Sequence, residues 1–492
     1  MDSNKRDLRL VRLLREKVEL QDNVLELRYE RIGDAGATLL ARSFDLSPVT
    51  RLDLSWNEMT SQGLKALAQC ASLSNLTTLI LDANKIGNAG VNALAESPHF
   101  AKLQSISLVN NRVGDEGALR LIKSSSLENL QTLVLEMNRV GRSRLTKFPD
   151  GPANPALKLL NLRRNEIGGI TLSDWVQTGA FSHLRHLNLG WNNLHDHGAK
   201  ILAKAPTLNR IEELILDSNS IGNEGALALA DSKHLSNLTT LYMHDNEYTG
   251  KGETALQDMK IQLLLKKNLS GTVLNLNESQ LTNKDLKALA RSEKLRDVET
   301  LCLRANDFDY RGLRVLTESG SMKKLRSLNL MDNKIGNKGA VLLAESKMLS
   351  QLKILNLEKA RITFPGFLAL AQSDQFGKLE EFNISLNDIT EKGIRVLSMS
   401  KNFQHLKKLR ALDIFMGDPG LQSIAISDYL GKLEELQVNG NAITRKGVES
   451  FASSPNLSSL KKLDLRRNKF KMEDMIFLQD SPRFKKIESL RF

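Results

Sequence analysis

The chain of 492 residues contains only two cysteines, Cys70 and Cys302, far apart in the sequence. That excludes a disulfide framework and any cysteine-based metal site, and both are expected to be reduced thiols. Aromatic residues make up 5% and there are ten prolines, so aliphatic side chains, within a hydrophobic total of 41%, must fill whatever core exists. No run of eighteen or more apolar residues occurs, which excludes a membrane-spanning helix. The opening MDSNKRDLRLVRLLREKVEL carries charges where a secretory leader needs an unbroken apolar stretch, so the expected compartment is the cytoplasm. Export without a cleavable leader leaves no dependable sequence pattern and stays open. Sequons such as Asn75-Leu76-Thr77 then read as chance matches.

What the sequence does have is a repeat. The template LxxLxLxxN recurs with asparagine at 57, 84, 111, 138, 165, 192, 219 and 246, always 27 residues apart, and resumes at 306, 333, 387, 441 and 468. Glu30, Ser279, Ala360 and Gly417 stand in the asparagine place of four degenerate units, making seventeen full repeats, and a further strand begins at Ile487. A chain this long would ordinarily form about three domains of roughly 150 residues. Regular repeats instead stack, each touching its neighbours, around one continuous core. The expected organisation is a helical cap over residues 1–23 and a solenoid over 24–492, with a longer, irregular unit at 247–272.

One unit, residues 76–102, shows the logic. Successive strand side chains point to opposite faces, so Leu79 and Leu81 point inward while Thr78, Ile80 and Asp82 face out. Asn84 ends the strand, where its amide can bond backbone groups left unpaired by the turn. Ile86 returns to the core, Gly87 allows a conformation costly for other residues, and Asn88 is expected to cap the helix that follows. Small residues such as Gly90 and Ala95 let that helix lie close to the strands, and Ser97-Pro98 stops it. A helix is roughly 10 Å wide and a strand about 4.8 Å, so stacking must bend the array with its strands inside. The fold class is α/β: a curved solenoid, or horseshoe, with parallel strands on the concave face and short helices on the convex face.

These residues resemble the ribonuclease-inhibitor class of leucine-rich repeats, shared by that inhibitor, by NOD-like receptors and by the Ran GTPase-activating proteins. The resemblance spans about residues 24–492 and is carried by IGDAGA at 32–37, VGDEGA at 113–118 and IGNEGA at 221–226. Helices reading like GALALA, residues 225–230, are also similar to the bacterial GALA family of secreted effectors, although the 23 residues before the first strand are too few for that family's F-box module. The resemblance implies a protein-binding scaffold, a GTPase regulator that positions the GTPase's own groups, or a host-directed effector. Ran GTPase-activating proteins carry a strongly acidic tail, which this sequence lacks.

The period breaks twice. Asn246 and Ser279 are 33 residues apart, which a convex helix lengthened by under two turns would absorb; a flexible joint or docking bump is the alternative. Around Gly417 the spacings are 30 and 24, with Asp418-Pro419-Gly420 in place of the usual turn. Terminal repeats need protection. Leu10, Leu13, Leu14 and Val18 lie at helical spacing and predict a capping helix over 5–20. No comparable cap is visible at the finish, where Arg491 and nearby lysines protect the edge, the edge pairs with another chain, or the natural gene continues. A monomer is expected, with an edge-mediated dimer as the alternative.

No nucleophile with a base, no metal constellation and no phosphate loop survives the repeat register, so neither catalysis nor a cofactor is expected. His195 and His197 lie in a turn where other repeats carry Gly and Asp or Asn, which points to a surface role. Asp245 and Asp332 just precede the asparagine place, where they can satisfy turn backbone.

The net charge is +12, but its placement decides its meaning. At the four strand-side positions of each repeat there are fourteen acids and nine bases, a concave face near −5 with the rest of the chain near +17. That face is not a nucleic-acid groove. A basic outer surface meeting RNA or anionic membrane would show steep salt dependence. Protein interfaces favour Trp, Tyr and Arg as anchors, and two such clusters stand on the strand side: Arg28, Tyr29, Arg51 and Trp56, then Arg163, Arg164, His186, Trp191, Tyr242 and His244. The expected function is binding of a protein partner through the concave face; padding of neighbouring turns by Trp56 and Trp191 is the bland alternative.

Overall fold

Strands one repeat apart pair in parallel without slippage in the computed structural model: Leu52 lies opposite Leu79, and Leu79 opposite Ile106, each 27 residues on. The structure describes residues 2–19, 23–142, 145, 148–454, 456–471, 473, 474, 482 and 484–492. The chain divides into two units, residues 1–263 and 264–492, each with its own sheet. No helix among the described residues is long and apolar enough to cross a membrane.

In the first unit nine three-residue strands, from Val24–Glu26 to Thr240–Tyr242, form a parallel sheet in chain order. Parallel neighbours need a crossover between them, and short helices supply it, as Gly87–Ala95 does between strands Thr78–Ile80 and Ser105–Ser107. Inward leucines such as Leu79 and Leu81 are buried. The breadth of helices against strands puts the strands on the inside of the curve and the helices outside. Helix Asp2–Glu19 lays Leu10, Leu13, Leu14 and Val18 against the same core; Leu20 lies outside the described residues. The fifth repeat has no helix among its described residues. Between strands Thr132–Val134 and Leu159–Asn161 the chain runs through Pro149, Pro152 and Pro155, which lack the N–H a helix needs, while Leu145 and Phe148 pack against the core.

Three kinds of side-chain ladder recur between neighbouring repeats within the units. Asn84 donates to the carbonyls of Leu54 and Leu81 at 3.0 and 2.8 Å and accepts from the N–H groups of Asn57 and Met59 at 3.1 and 2.9 Å, so one amide holds two turns. A second ladder corrects the expectation for Asn88. It sits inside its own helix, and its oxygen accepts from Gly114 N–H at 2.7 Å, one repeat on. The reason is geometric: a side chain in the first turn of one helix points at the start of the next helix in the stack, whose N–H groups have no partner of their own. Asp34 likewise accepts from Thr60 and Gly63 N–H. The third ladder is serine: Ser97 and Ser124 donate their hydroxyls to the carbonyls of Ala68 and Ala95 at the preceding helix ends, both at 2.6 Å.

The second unit opens on a tight antiparallel hairpin, Leu269–Ser270 with Val273–Asn275, turned at Gly271 with φ of 58°. From Val273–Asn275 to Ser489–Arg491 the strands again pair in parallel in chain order. Helix Gly250–Asn268 has 19 residues, where neighbouring helices such as Asn223–Ala230 and Asn283–Arg291 have 8 and 9. The extension therefore exceeds the two turns expected, because the hairpin replaces the longer connection that other repeats use. Aromatic stacking marks this unit's core, with Phe382 centred 6.1 Å from Phe367 and 5.7 Å from Phe403.

The register around Gly417 needs correcting. Lys408 pairs with Glu381 and Glu435 with Lys408, so the spacing stays at 27 and Ile414 takes the asparagine place. Ile414 is fully buried, and its N–H donates to Asn441 at 3.1 Å, as Asn57 does to Asn84. Gly417 begins the helix Gly417–Ala425 instead.

Candidate strand-side binding surface

The residue just before the asparagine place is held in the left-handed conformation in every repeat: sixteen L residues, among them Tyr29, Trp56, Arg164 and Trp191, and Gly440. Such a backbone costs an L residue roughly 1–2 kcal/mol and persists only where the surroundings over-determine it. Here they do. The N–H of Trp56 donates to the Asp82 carbonyl at 2.8 Å and that of Trp191 to the Asp217 carbonyl at 2.7 Å, while the asparagine ladder holds the turn beyond. The turn therefore sets a side chain at the rim of the strand face once per repeat.

At this position Trp56 and Trp191 remain 48% and 47% exposed, whereas the third tryptophan, Trp175, is 2% exposed inside the core. Trp56 and Trp191 thus keep close to half of their surface open to solvent. In the first cluster Tyr29 stacks on Trp56 at 5.4 Å between ring centroids, with the Arg28 guanidinium 4.9 Å from the Tyr29 ring. Arg51 is exposed at the start of strand Arg51–Asp53, five residues and roughly 15 Å along the chain from Trp56. In the second cluster Arg163 and Arg164 lie 5.6 and 5.0 Å from the Trp191 ring. Arg163 is also held by Glu136 at 2.8 Å. His186 lies 3.0 Å from Glu213, and His244 lies 3.3 Å from Asp217 and 6.3 Å from the Tyr242 ring.

The acidic partners Glu136, Glu213 and Asp217 were not among the expected site residues. The signal was present: each stands 27 residues from its basic partner, at positions 136 and 163, 186 and 213, 217 and 244. Met137, exposed in the repeat before Arg164, was missed as well.

The corrected register also changes the charge count. It adds Lys408 and Arg410 to the strand side, giving fourteen acids against eleven bases, a net −3 in place of −5. In the first unit the strand side carries seven acids and four bases, and in the second seven of each. Asp332, expected to satisfy turn backbone, is ion-paired with Lys359 at 2.9 Å, and Asp245 is exposed. Backbone groups are served instead from two residues before the asparagine place, as Asp82 accepts from Val109 N–H at 2.9 Å.

Cys70 and Cys302 are both free thiols, and burial pushes the Cys302 thiol up from its ordinary value. Among the described residues no group of three or more His, Cys, Asp and Glu side chains is placed to hold a metal ion. His197 packs over Gly169, where a β-carbon would come within 2.2 Å of the ring.

A leucine-rich repeat family model matches residues 46–68, 72–95, 101–121, 182–203, 209–230, 321–344, 378–398 and 432–452. No curated protein sequence matches the chain. Among solved structures, a leucine-rich repeat protein of Leptospira interrogans is similar at 20% identity over 98% of both chains, with a TM-score of 0.33. TLR13 in complex with the RNA ssRNA13 is similar at 18% over 90% of this chain and 59% of its own, with a TM-score of 0.30. An internalin of Listeria monocytogenes is similar at 17% over 88% and 94%, with a TM-score of 0.28. Likeness at that level transfers no function. Each of the eight family matches runs from just before a strand to the helix after it, in the register that the ladders hold, and the chain is a leucine-rich repeat protein.

Proposed function

We propose that the chain is a non-catalytic scaffold that binds a protein partner through the concave face of its first unit, in the cytoplasm, with Arg163, Arg164, His186, Trp191, Tyr242 and His244 at the centre and Arg28, Tyr29, Arg51 and Trp56 as a second anchor. The observation that carries this reading is Trp191, half-exposed at the rim and flanked by two guanidiniums. Indole and guanidinium together offer a large rigid apolar area and directed donors, the combination that dominates binding energy at protein interfaces. The mixed charge of the face supports a protein over a polyanion, since a nucleic acid would set phosphates against Glu213, Asp217 and Asp245. Leucine-rich repeat proteins are in general protein-interaction scaffolds, and the polar side chains that recur in this one are spent on joining repeats.

A photo-reactive residue placed at Ser218 on the strand side, or at Glu224 on the helix side, tests the assignment in extracts of the source cell. Crosslinking of one defined protein from position 218 alone is the expected result. Crosslinking from position 224 alone moves the interface to the helices.

A further inference from the structure

Four consecutive repeats of the first unit present Arg164, Trp191, Ser218 and Asp245 at the left-handed rim position, with φ of 52°, 57°, 53° and 54°. Arg164 and Asp245 are exposed, and among the described residues neither has an ion-pair partner. Their neighbours are matched: Arg163 with Glu136, His186 with Glu213, and His244 with Asp217. The row is thus an open cation at one end, an indole beside it, a small hydroxyl, and an open carboxylate at the other end. Strands stack at about 4.8 Å, so the backbone positions that carry the two open charges stand about 14 Å apart.

Alternate side chains of an extended peptide share one face, and residues i, i+2 and i+4 of such a peptide also span about 14 Å. A helix would need about nine residues to cover that distance and would turn the two end residues to opposite sides, at about 100° per residue. We propose that this row recognises an extended peptide segment of the form acid–x–apolar–x–base, with its carboxylate on Arg164, its apolar side chain on Trp191 and its cation on Asp245. The inference rests on the reading of this face as a protein-binding surface and names the chemistry of the segment it takes. Met137, exposed one repeat before Arg164, extends the apolar margin beyond the acidic end of the segment.

Four fluorescent peptides test it by anisotropy with the full chain, centred on Asp-Gly-Leu-Gly-Lys, Asp-Gly-Leu-Gly-Asp, Lys-Gly-Leu-Gly-Lys and the shortened Asp-Gly-Leu-Lys-Gly. The first binds about tenfold more tightly than the two like-charged peptides, because each of those sets one like charge against the row, and more tightly than the shortened one. Arg164→Glu, an exposed position, shifts the preference to Lys-Gly-Leu-Gly-Lys. Equal binding of all four, no binding of any, or an unchanged order in Arg164→Glu overturns the proposal. Equal binding that Trp191→Ala abolishes removes the charge pattern alone and leaves the binding face standing. A crosslinked partner whose affinity ignores both Trp191→Ala and Arg164→Ala removes the face itself.

Discussion

Asp196 Oδ1 accepts the backbone N–H of Gly222 at 2.8 Å, although the glycine belongs to the next repeat. The same oxygen takes Gly225 N–H at 2.8 Å. Helices of 8 to 11 residues are marginal alone, since nucleation is costly and few bonds repay it. Capping from the neighbour makes such a helix depend on the one before it, which couples the repeats. Asp196→Ala therefore lowers unfolding stability by about 1–2 kcal/mol, the usual cost of a lost N-cap, and Asp196→Asn retains most of it. Urea titration checks both; an unchanged midpoint in the alanine variant would show that the ladder contributes nothing.

Asn111 is fully buried, and its amide donates to the Leu81 carbonyl at 2.8 Å and the Val109 carbonyl at 3.1 Å. Asn111→Ala leaves those carbonyls and the facing N–H groups in a dry turn, a loss of about 2–3 kcal/mol. The same change at Asn246, partly exposed beside the last strand of the first sheet, costs less because water replaces the lost bonds. Parallel denaturation of the two variants decides; equal losses would contradict the dependence on burial.

Much of this was legible from residue spacing. Strand positions and inward leucines follow from a period that any one-residue slip would turn inside out. The register near Gly417 was not, because Leu412 and Ile414 imitate the inward pair that Leu409 and Ala411 supply, and Ala411 is too small to stand out in a leucine template. Asn88 misled for a different reason: a capping residue is ordinarily assigned to its own helix, and only the stack brings Gly114 within reach of it. For the candidate surface, composition located the rings and guanidiniums, but pairings such as Arg163 with Glu136 needed the comparison of one repeat with the next.

Gly141 has φ of 91°, and a β-carbon there would lie 2.3 Å from the Glu166 carbonyl oxygen. Backbone of the neighbouring repeat cannot move aside as a side chain would. Gly141→Ala destabilises by about 2–3 kcal/mol, combining the strained conformation with overpacking. At Gly151, with φ of 92° and open space around it, the strain acts alone and the loss is smaller. Thermal melts of the pair separate the two contributions; a larger loss at Gly151 would contradict the close approach.

Glu380 receives Lys353 and Lys407 at 2.7 Å each, and these two ammonium groups lower its carboxyl from 4.5 to about 2. A carboxyl lowered in the folded chain adds stability that is complete above its unfolded value and is lost as pH falls through the folded one. The contribution is therefore full above roughly pH 5 and disappears between there and about pH 2. Glu380→Gln is less stable than the parent at pH 6, and the gap closes on acidification. A gap independent of pH between 6 and 2.5 would show that the two lysines do not act through the carboxylate's charge.

The central claim is that the strand-side rim around Trp191 binds a protein. The most direct measurement is the affinity of the crosslinked partner, once identified, for the parent chain, Trp191→Ala and Arg164→Ala, alongside the urea midpoint of each. Both positions are exposed, so the midpoints stay together, while each variant loses about tenfold or more in affinity. Unchanged affinity in both variants, with the fold intact, would contradict the claim.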